Sequence, residues 1–75
     1  MRLRILIKNY RYRLGVSQKV LRQKTGIPQS TLSDIENGKS IPNIKDALII
    51  AEALNCRIED LFVLEREPPD KAKRK

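Results

Sequence analysis

The sequence has no histidine, no tryptophan and only three aromatic residues among its 75 positions. It has one cysteine, Cys56, so no internal disulfide can form, and a zinc site built from histidine and cysteine is excluded. Cys56 lies in an apolar stretch, and we interpret it as a small core residue. Clustered carboxylates and glycine-rich phosphate loops are also missing, so the sequence predicts neither an enzyme nor a cofactor.

Long apolar runs are missing as well, and none approaches the roughly 20 residues of a membrane-spanning helix. Residues 1–7 are basic and contain a few apolar residues, but Lys8 interrupts this apolar run. No small-residue cleavage site follows, so we expect no signal peptide. A chain of 75 residues makes at most one domain with a small core. A reducing cytosol is the expected environment.

Acidic residues are absent from the first 33 positions, which hold eight basic residues. Residues 34–64 have three basic and six acidic residues, a balance of −3, and residues 65–75 have five and three, a balance of +2. The total, 8 − 3 + 2, is the net charge of +7. This asymmetry indicates a polyanionic partner, whose neutralised phosphates release counterions. The alternative is a solvated helix face rich in lysine and arginine.

Apolar residues at helical spacing predict a first helix from about Leu3 to Leu14, ended by Gly15. The start of this segment is ambiguous, because Leu3, Ile5 and Ile7 also alternate as they would in a strand. The alternative is therefore a short N-terminal strand that pairs with another copy of the chain.

Two short helices joined by a sharp turn at Gly26 are predicted over about residues 17–37. Ser17 is a good N-cap for the first, and Pro28 suits the first turn of the second, which Gly38 ends. The positions expected to hold this unit together are apolar: Val20, Leu21, Ile27, Leu32 and Ile35.

Two further helices are predicted, the fourth capped by Asn43 and running to about Leu54, and the fifth from Ile58 to about Leu64. Asn55 is expected in the left-handed conformation that ends the fourth. The inward positions of the fourth helix are expected to be Ile44, Ala47, Leu48, Ile50, Ala51 and Leu54. The sequence thus predicts an all-α, five-helix domain over residues 1–64 and a disordered, charged, basic tail over 65–75.

The order of these residues resembles the Cro/cI-repressor (Xre-like) helix-turn-helix family over about Ile7–Phe62. The matching segments are Gly15-Val16-Ser17-Gln18, Gly26-Ile27-Pro28-Gln29-Ser30-Thr31-Leu32-Ser33, Ile35-Glu36-Asn37-Gly38-Lys39 with Pro42, Ile50-Ala51-Glu52-Ala53-Leu54 and Glu59-Asp60-Leu61-Phe62. The resemblance implies a lambda-repressor-like fold and a transcriptional regulator, most simply a repressor, that binds double-stranded DNA. It also implies a cytoplasmic, nucleoid-associated protein of bacterial or phage origin.

In such a domain the start of the second helix of the motif, here residues 28–37, reads base edges in the major groove. The residues at those positions are Gln29, Ser30, Ser33 and Asp34. A glutamine can pair bidentately with adenine, whereas an aspartate only accepts, which favours a cytosine amino group or a bridging water.

The resemblance assigns DNA-backbone contacts to other positions: Gln18, Thr31, Asn37, Lys39, Ser40 and Asn43. Gln18 stands where free N–H groups at a helix start attract phosphate, and it is also expected to brace the start of the reading helix. Arg11 and Glu36 match positions that form a structural ion pair. Arg22 and Lys24 are either phosphate contacts or free solvated charges.

Three positions depart from the family pattern. Arg22 replaces a small residue where the two motif helices cross, so either the crossing shifts or the arginine stem lies over the packing seam. Thr25 replaces a larger apolar residue. Arg57 stands where a capping residue such as serine is usual, so we expect a poorly capped fifth helix.

The sequence is compatible with two functions. The domain either reads a DNA sequence or is a protein-interaction or scaffold module of the same fold, with weak or non-specific DNA binding.

The resemblance also implies a homodimer. Val63 and Leu64 on the surface of the fifth helix, or the N-terminal segment, are the expected contacts, and the alternative is that Val63 and Leu64 simply close the core.

Overall fold

The computed structural model describes residues 2–66 of the chain. Five helices are enclosed in sequence by two short strands. The elements are β1 (Arg2–Ile5), α1 (Ile7–Leu14), α2 (Gln18–Thr25), α3 (Gln29–Glu36), α4 (Ile44–Ala53), α5 (Ile58–Leu61) and β2 (Phe62–Glu65). The structure is therefore mostly helical, but the prediction of an all-α fold was wrong at both ends.

The core lies where all five helices meet. The largest fully buried side chains are Ile7, Leu21, Leu32, Ile35, Ile50, Leu54 and Leu61. Each of the five helices contributes at least one of them. Each helix is therefore anchored by burying apolar surface, which stabilises the fold by about 25 cal/mol per Å² removed from water.

The strands β1 and β2 form one antiparallel two-stranded sheet. Arg2 lies opposite Glu65 and Ile5 opposite Phe62, and the Leu6 N–H extends the connection by donating to Leu61 O at 2.8 Å. The first helix therefore begins at Ile7, not Leu3, and the fifth ends at Leu61. Val63 and Leu64 thus lie on a strand and not on the surface of a helix.

The alternating pattern at the N-terminus did indicate a strand, but its partner is the end of the same chain and not another copy. An isolated two-stranded sheet is marginal in water. Here Ile5 and Phe62 pack against the helical core, which supports the sheet.

The predicted turn and cap positions are confirmed. Gly15 and Gly26 end α1 and α2 with φ of +70° and +76°, and Asn55 has φ of +55°. The Ser17 hydroxyl accepts from the Val20 N–H at 3.1 Å. The carbonyl oxygen of the Asn43 side chain accepts from the Asp46 N–H at 2.7 Å.

Some apolar residues predicted to be inward are exposed instead. Ile44 and Leu48 lie one turn apart on the outer side of α4, and Val20 is exposed on α2. The reason on α4 is that its apolar residues cover more than one stripe, and Ala47, Ile50 and Ala51 occupy the buried one.

The start of α5 is better capped than the sequence indicated. The Asp60 carboxylate accepts from the Arg57 backbone N–H at 3.0 Å, which satisfies one donor at the helix start without a serine.

The predicted tail, residues 65–75, lies outside the described residues except for Glu65 in β2 and Arg66. Within residues 2–66, none of the helices has the length and apolar character needed to cross a membrane. Over the same span, no three metal-binding side chains of the His, Cys, Asp or Glu type come together.

Candidate nucleic-acid interface

The helix α3 has one buried face and one free polar face. Leu32 and Ile35 are buried, at 0% and 1% exposure. The four residues predicted to read bases lie away from them: Gln29, Ser30 and Asp34 are exposed and Ser33 is half-buried. The helix starts after Pro28 without a side-chain cap, so its first backbone N–H groups remain available. This face carries hydrogen-bonding groups suited to base edges.

The turn between α2 and α3 is held by Thr25, one of the three positions that depart from the family pattern. The Thr25 hydroxyl donates to Leu21 O at 2.8 Å and accepts from the Ile27 N–H at 3.1 Å. A larger apolar side chain could not make either bond. The signal that could have revealed this role was the threonine directly before Gly26, since short hydroxyl side chains bond to nearby backbone groups in turns.

Arg11 of α1 and Glu36 at the end of α3 form a nearly buried ion pair. The Arg11 Nε and Nη2 donate to the two Glu36 oxygens at 2.7 and 3.0 Å, and Nη1 donates to Val16 O at 3.1 Å. Only 7% and 2% of the two side chains are exposed. The hydrogen bond to Glu36 raises the pKa of Arg11 against the opposing effect of burial, so the guanidinium stays charged.

Gln18 connects this ion pair to the start of the predicted reading helix. Its Nε2 donates to Glu36 Oε1 at 3.2 Å, and its Oε1 accepts from Gln29 Nε2 at 3.3 Å. A carboxylate can only accept, so Glu36 sets the orientation of the Gln18 amide, and that orientation turns an acceptor toward Gln29. The predicted bracing by Gln18 is present in the structure.

The other residues assigned to the DNA backbone lie in and around α3. Asn37 and Lys39 are exposed, whereas Thr31 and Ser40 are half-buried. The Lys39 and Ser40 N–H groups both donate to Asp34 O, at 2.8 and 3.3 Å, so they close the end of the helix. Asn43 is exposed, but its side-chain oxygen is engaged in capping α4.

The basic side chains of α2 are directed to solvent. Lys19, Arg22 and Lys24 are all exposed. Arg22 is therefore not buried between the motif helices, whereas Leu21 and Leu32 are fully buried in the core.

Comparison with known proteins agrees with the helix-turn-helix arrangement described above. A family model described as helix-turn-helix matches residues 7–61. An uncharacterized HTH-type transcriptional regulator of Archaeoglobus fulgidus is 37% identical over 65 residues, which cover 87% of this chain and 93% of that protein. One of Bacillus subtilis is 38% identical over 61 residues, covering 81% and 92%. One of Methanothermobacter thermautotrophicus is 35% identical over 66 residues, covering 87% and 96%.

The matched region runs from the first residue of α1 to the last residue of α5, so it contains the motif helices and the whole helical core. The strands at either end lie outside it. The similarity extends over 93%, 92% and 96% of the lengths of these three relatives. The chain belongs to the Xre/Cro-cI-like helix-turn-helix family of DNA-binding transcriptional regulators.

Proposed function

We propose that the protein is a repressor that binds a specific double-stranded DNA sequence and reads it with α3 in the major groove. The single observation that carries this proposal is the chain of hydrogen bonds from Gln29 through Gln18 to Glu36. It ties the first turn of α3 to a buried ion pair, while Ser30 and Asp34 on the outer side of the helix stay exposed. A side chain held in this way enters the groove with little conformational entropy left to lose.

The chemistry of Gln29 is compatible with both bracing and readout. Its Nε2 has two hydrogens, and the bond to Gln18 uses one of them. The second hydrogen and the Oε1 acceptor remain for the N7 and N6 groups of an adenine. Ser30 and Ser33 can donate or accept, and Asp34 accepts from a cytosine amino group.

Phosphate contacts would position α3 on the duplex. We assign them to the start of α2 with Gln18, to Thr31 and Asn37 on α3, and to the following loop with Lys39, Ser40 and the amide nitrogen of Asn43. The acid-free first 33 residues add a positive field that attracts DNA. Repression requires only that a site on the DNA be occupied, which is what a DNA-binding domain does.

Operators read by such motifs usually consist of two half-sites one helical turn apart, so we also propose that the protein acts as a homodimer. Its place of action would be the cytoplasm, on the chromosome or on phage DNA.

Selection of bound duplexes from random DNA with the full chain tests the readout. We expect one enriched motif, and we expect Gln29→Ala and Ser30→Ala each to relax the preference at one base pair, with a loss of about 1–3 kcal/mol there. The matched control is Gln23→Ala, which removes an exposed glutamine from α2. It should leave the motif unchanged.

Two outcomes would count against the proposal. Selection without an enriched motif would remove sequence readout, and weak, uniform binding to all duplexes would favour a scaffold module of the same fold. The exposed Asp34 carboxylate, which repels phosphate, gives that alternative a physical basis.

A further inference from the structure

An open cleft of about 430 Å³ lies between the end of α1 and the start of α2. Its lining includes Tyr12 of α1, the N-cap Ser17 and Gln18 of α2, together with the nearly buried Arg11. Tyr12 is 69% exposed, whereas the other tyrosine, Tyr10, is half-buried. A large aromatic side chain therefore stands in solvent at this cleft without serving the core.

The Tyr12 ring is held in place by a fixed cation. The Arg11 guanidinium lies over the ring, 5.2 Å from its centroid, and attracts the negative face of the aromatic system. Two hydrogen bonds to Glu36 in turn fix the guanidinium. A tyrosine has only two side-chain torsions, so an ordered tyrosine loses little entropy when it meets a ligand.

The chemistry of the cleft suits an anion. None of its lining residues is acidic, and the carboxylate of Glu36 is only 2% exposed and paired with Arg11. The phenol of Tyr12 can donate a hydrogen bond. The Ser17 hydroxyl accepts from the Val20 N–H and so keeps its own hydrogen for donation.

The cleft adjoins the proposed reading helix. Gln18, which lines the cleft, accepts from Gln29 at 3.3 Å, so one side chain separates the cleft from the first residue of α3. The major groove is about 12 Å wide, and a phosphate backbone runs along each of its sides. When Gln29 reaches base edges, residues on the other side of Gln18 therefore face the backbone on one side of the groove.

We propose that Tyr12 is a further DNA-backbone contact, whose hydroxyl donates to a phosphate in this cleft and helps to position α3 on the duplex. The inference rests on the proposed function and adds a residue to which the family resemblance assigned no role. Tyrosine is among the side chains that bind phosphate oxygens, and such contacts fix orientation without reading sequence. Because the hydroxyl is neutral, Tyr12 orients the domain without adding to its salt-dependent attraction to DNA.

Binding of Tyr12→Phe to duplex DNA, measured by fluorescence anisotropy with the full chain, tests this assignment. The substitution removes only the hydroxyl and keeps the ring beside Arg11, so the helical circular dichroism spectrum should not change. We expect affinity to fall about 10-fold, for the selected duplex and for unrelated duplexes alike. The slope of log K against log salt should equal that of the wild type, because no protein charge is lost.

Tyr10→Phe is the matched control. It removes the hydroxyl of the other tyrosine of α1, whose side chain packs against the core and does not line the cleft. This variant should bind every duplex with wild-type affinity. A Tyr12→Phe variant that also binds like the wild type, or equal losses in the two variants, overturns the contact.

Chemical modification provides a second measurement that needs no substitution. Tetranitromethane nitrates accessible tyrosines, and peptide masses show which of the two rings has reacted. We expect bound DNA to slow the nitration of Tyr12 several-fold and to leave the rate at Tyr10 unchanged. A Tyr12 that reacts equally fast with and without DNA overturns the contact.

These results separate the inference from the proposed sequence readout, since duplexes of any sequence serve both measurements. If Tyr12→Phe weakens binding to every duplex but selection from random DNA yields no motif, the backbone contact stands and the readout fails. If a motif is enriched and Tyr12→Phe binds it like the wild type, the readout stands and the contact fails.

Discussion

Gln29, in the first turn of α3, donates from its Nε2 to the side-chain oxygen of Gln18 on α2 at 3.3 Å. Gln18 in turn donates to Glu36, whose carboxylate is nearly buried against Arg11. Three helices are thus joined through polar side chains at the edge that we propose meets DNA. This relationship makes the position of α3 sensitive to residues that need not touch a base.

The substitution Gln18→Glu tests that sensitivity. It keeps an acceptor for Gln29, but it removes the donor to Glu36 and places two carboxylates side by side. We expect a loss of about 1.5–3 kcal/mol in binding to the selected duplex, measured by fluorescence anisotropy. The control is Gln23→Glu, which makes the same charge change on the exposed side of α2. Equal losses in both variants would mean that only net charge matters.

The buried ion pair should control stability. Glu36→Leu leaves the Arg11 guanidinium buried without its partner, and we expect a loss of about 3–5 kcal/mol in the free energy of unfolding measured in urea. The double variant Arg11→Met with Glu36→Leu should lose less, because no unpaired charge remains.

The pair formed by Arg4 and Glu65 at 3.1 Å is an exposed comparison. Removing Arg4 should change the free energy of unfolding by at most about 1 kcal/mol, because water screens the charges. A Glu36→Leu variant no less stable than an Arg4→Met variant would show that the buried pair contributes nothing to the fold.

The turn depends on the Thr25 hydroxyl. Thr25→Val keeps the shape of the side chain but leaves the Ile27 N–H without its acceptor, and we expect a loss of about 1–3 kcal/mol in urea unfolding. Thr25→Ser keeps the hydroxyl and should retain more of the stability. If serine proves no better than valine, the hydroxyl bonds do not account for the threonine.

Lys39 should contribute charge but no sequence preference. Lys39→Gln is expected to weaken binding to all duplexes alike and to reduce the slope of log K against log salt by about 0.9. Anisotropy titrations at several salt concentrations measure this slope. Lys8→Gln removes one exposed charge from α1 and should leave the slope unchanged. A Lys39→Gln variant with altered base preference would reassign the residue to readout.

Cys56 should react slowly as a nucleophile. Burial, with a smaller effect of the nearby Asp60 carboxylate, raises the pKa of its thiol in the folded protein above the value it has when unfolded. The stability linked to this group is present below the unfolded pKa, about 8.5, and is lost as pH rises through the folded pKa. We expect alkylation by iodoacetamide at pH 8 to be slower in the folded protein than in the unfolded chain. Equal rates would contradict the shift.

The positions of turns and caps could be predicted from the sequence because they depend on local backbone chemistry. Gly15 and Gly26 adopt positive φ, and Ser17 and Asn43 accept from the backbone N–H three residues later. The inward face of α3 followed in the same way from the spacing of Leu32 and Ile35. Family membership followed from the order of these local signals. The base and phosphate contacts assigned to individual residues stay predictions.

Other features depended on contacts between distant parts of the chain. Helical and strand-like spacing were both present near Leu3, and only the pairing with residues about 60 positions away decided between them. The exposure of Ile44 could not be predicted from helical spacing, because α4 has more apolar residues than its buried face holds.

The sequence by itself determined the helix-turn-helix unit of residues 18–36, because glycine conformation, capping and helical period act over a few residues. Only the tertiary structure decided that β1 pairs with β2, and that Leu3, Ile44 and Leu64 are left exposed. The ion pair of Arg11 and Glu36 was already implied by the family resemblance, and the structure added the hydrogen bond that Gln18 donates to it. Those outcomes depend on how helices and strands pack in three dimensions, and packing depends on which faces remain after the core is filled.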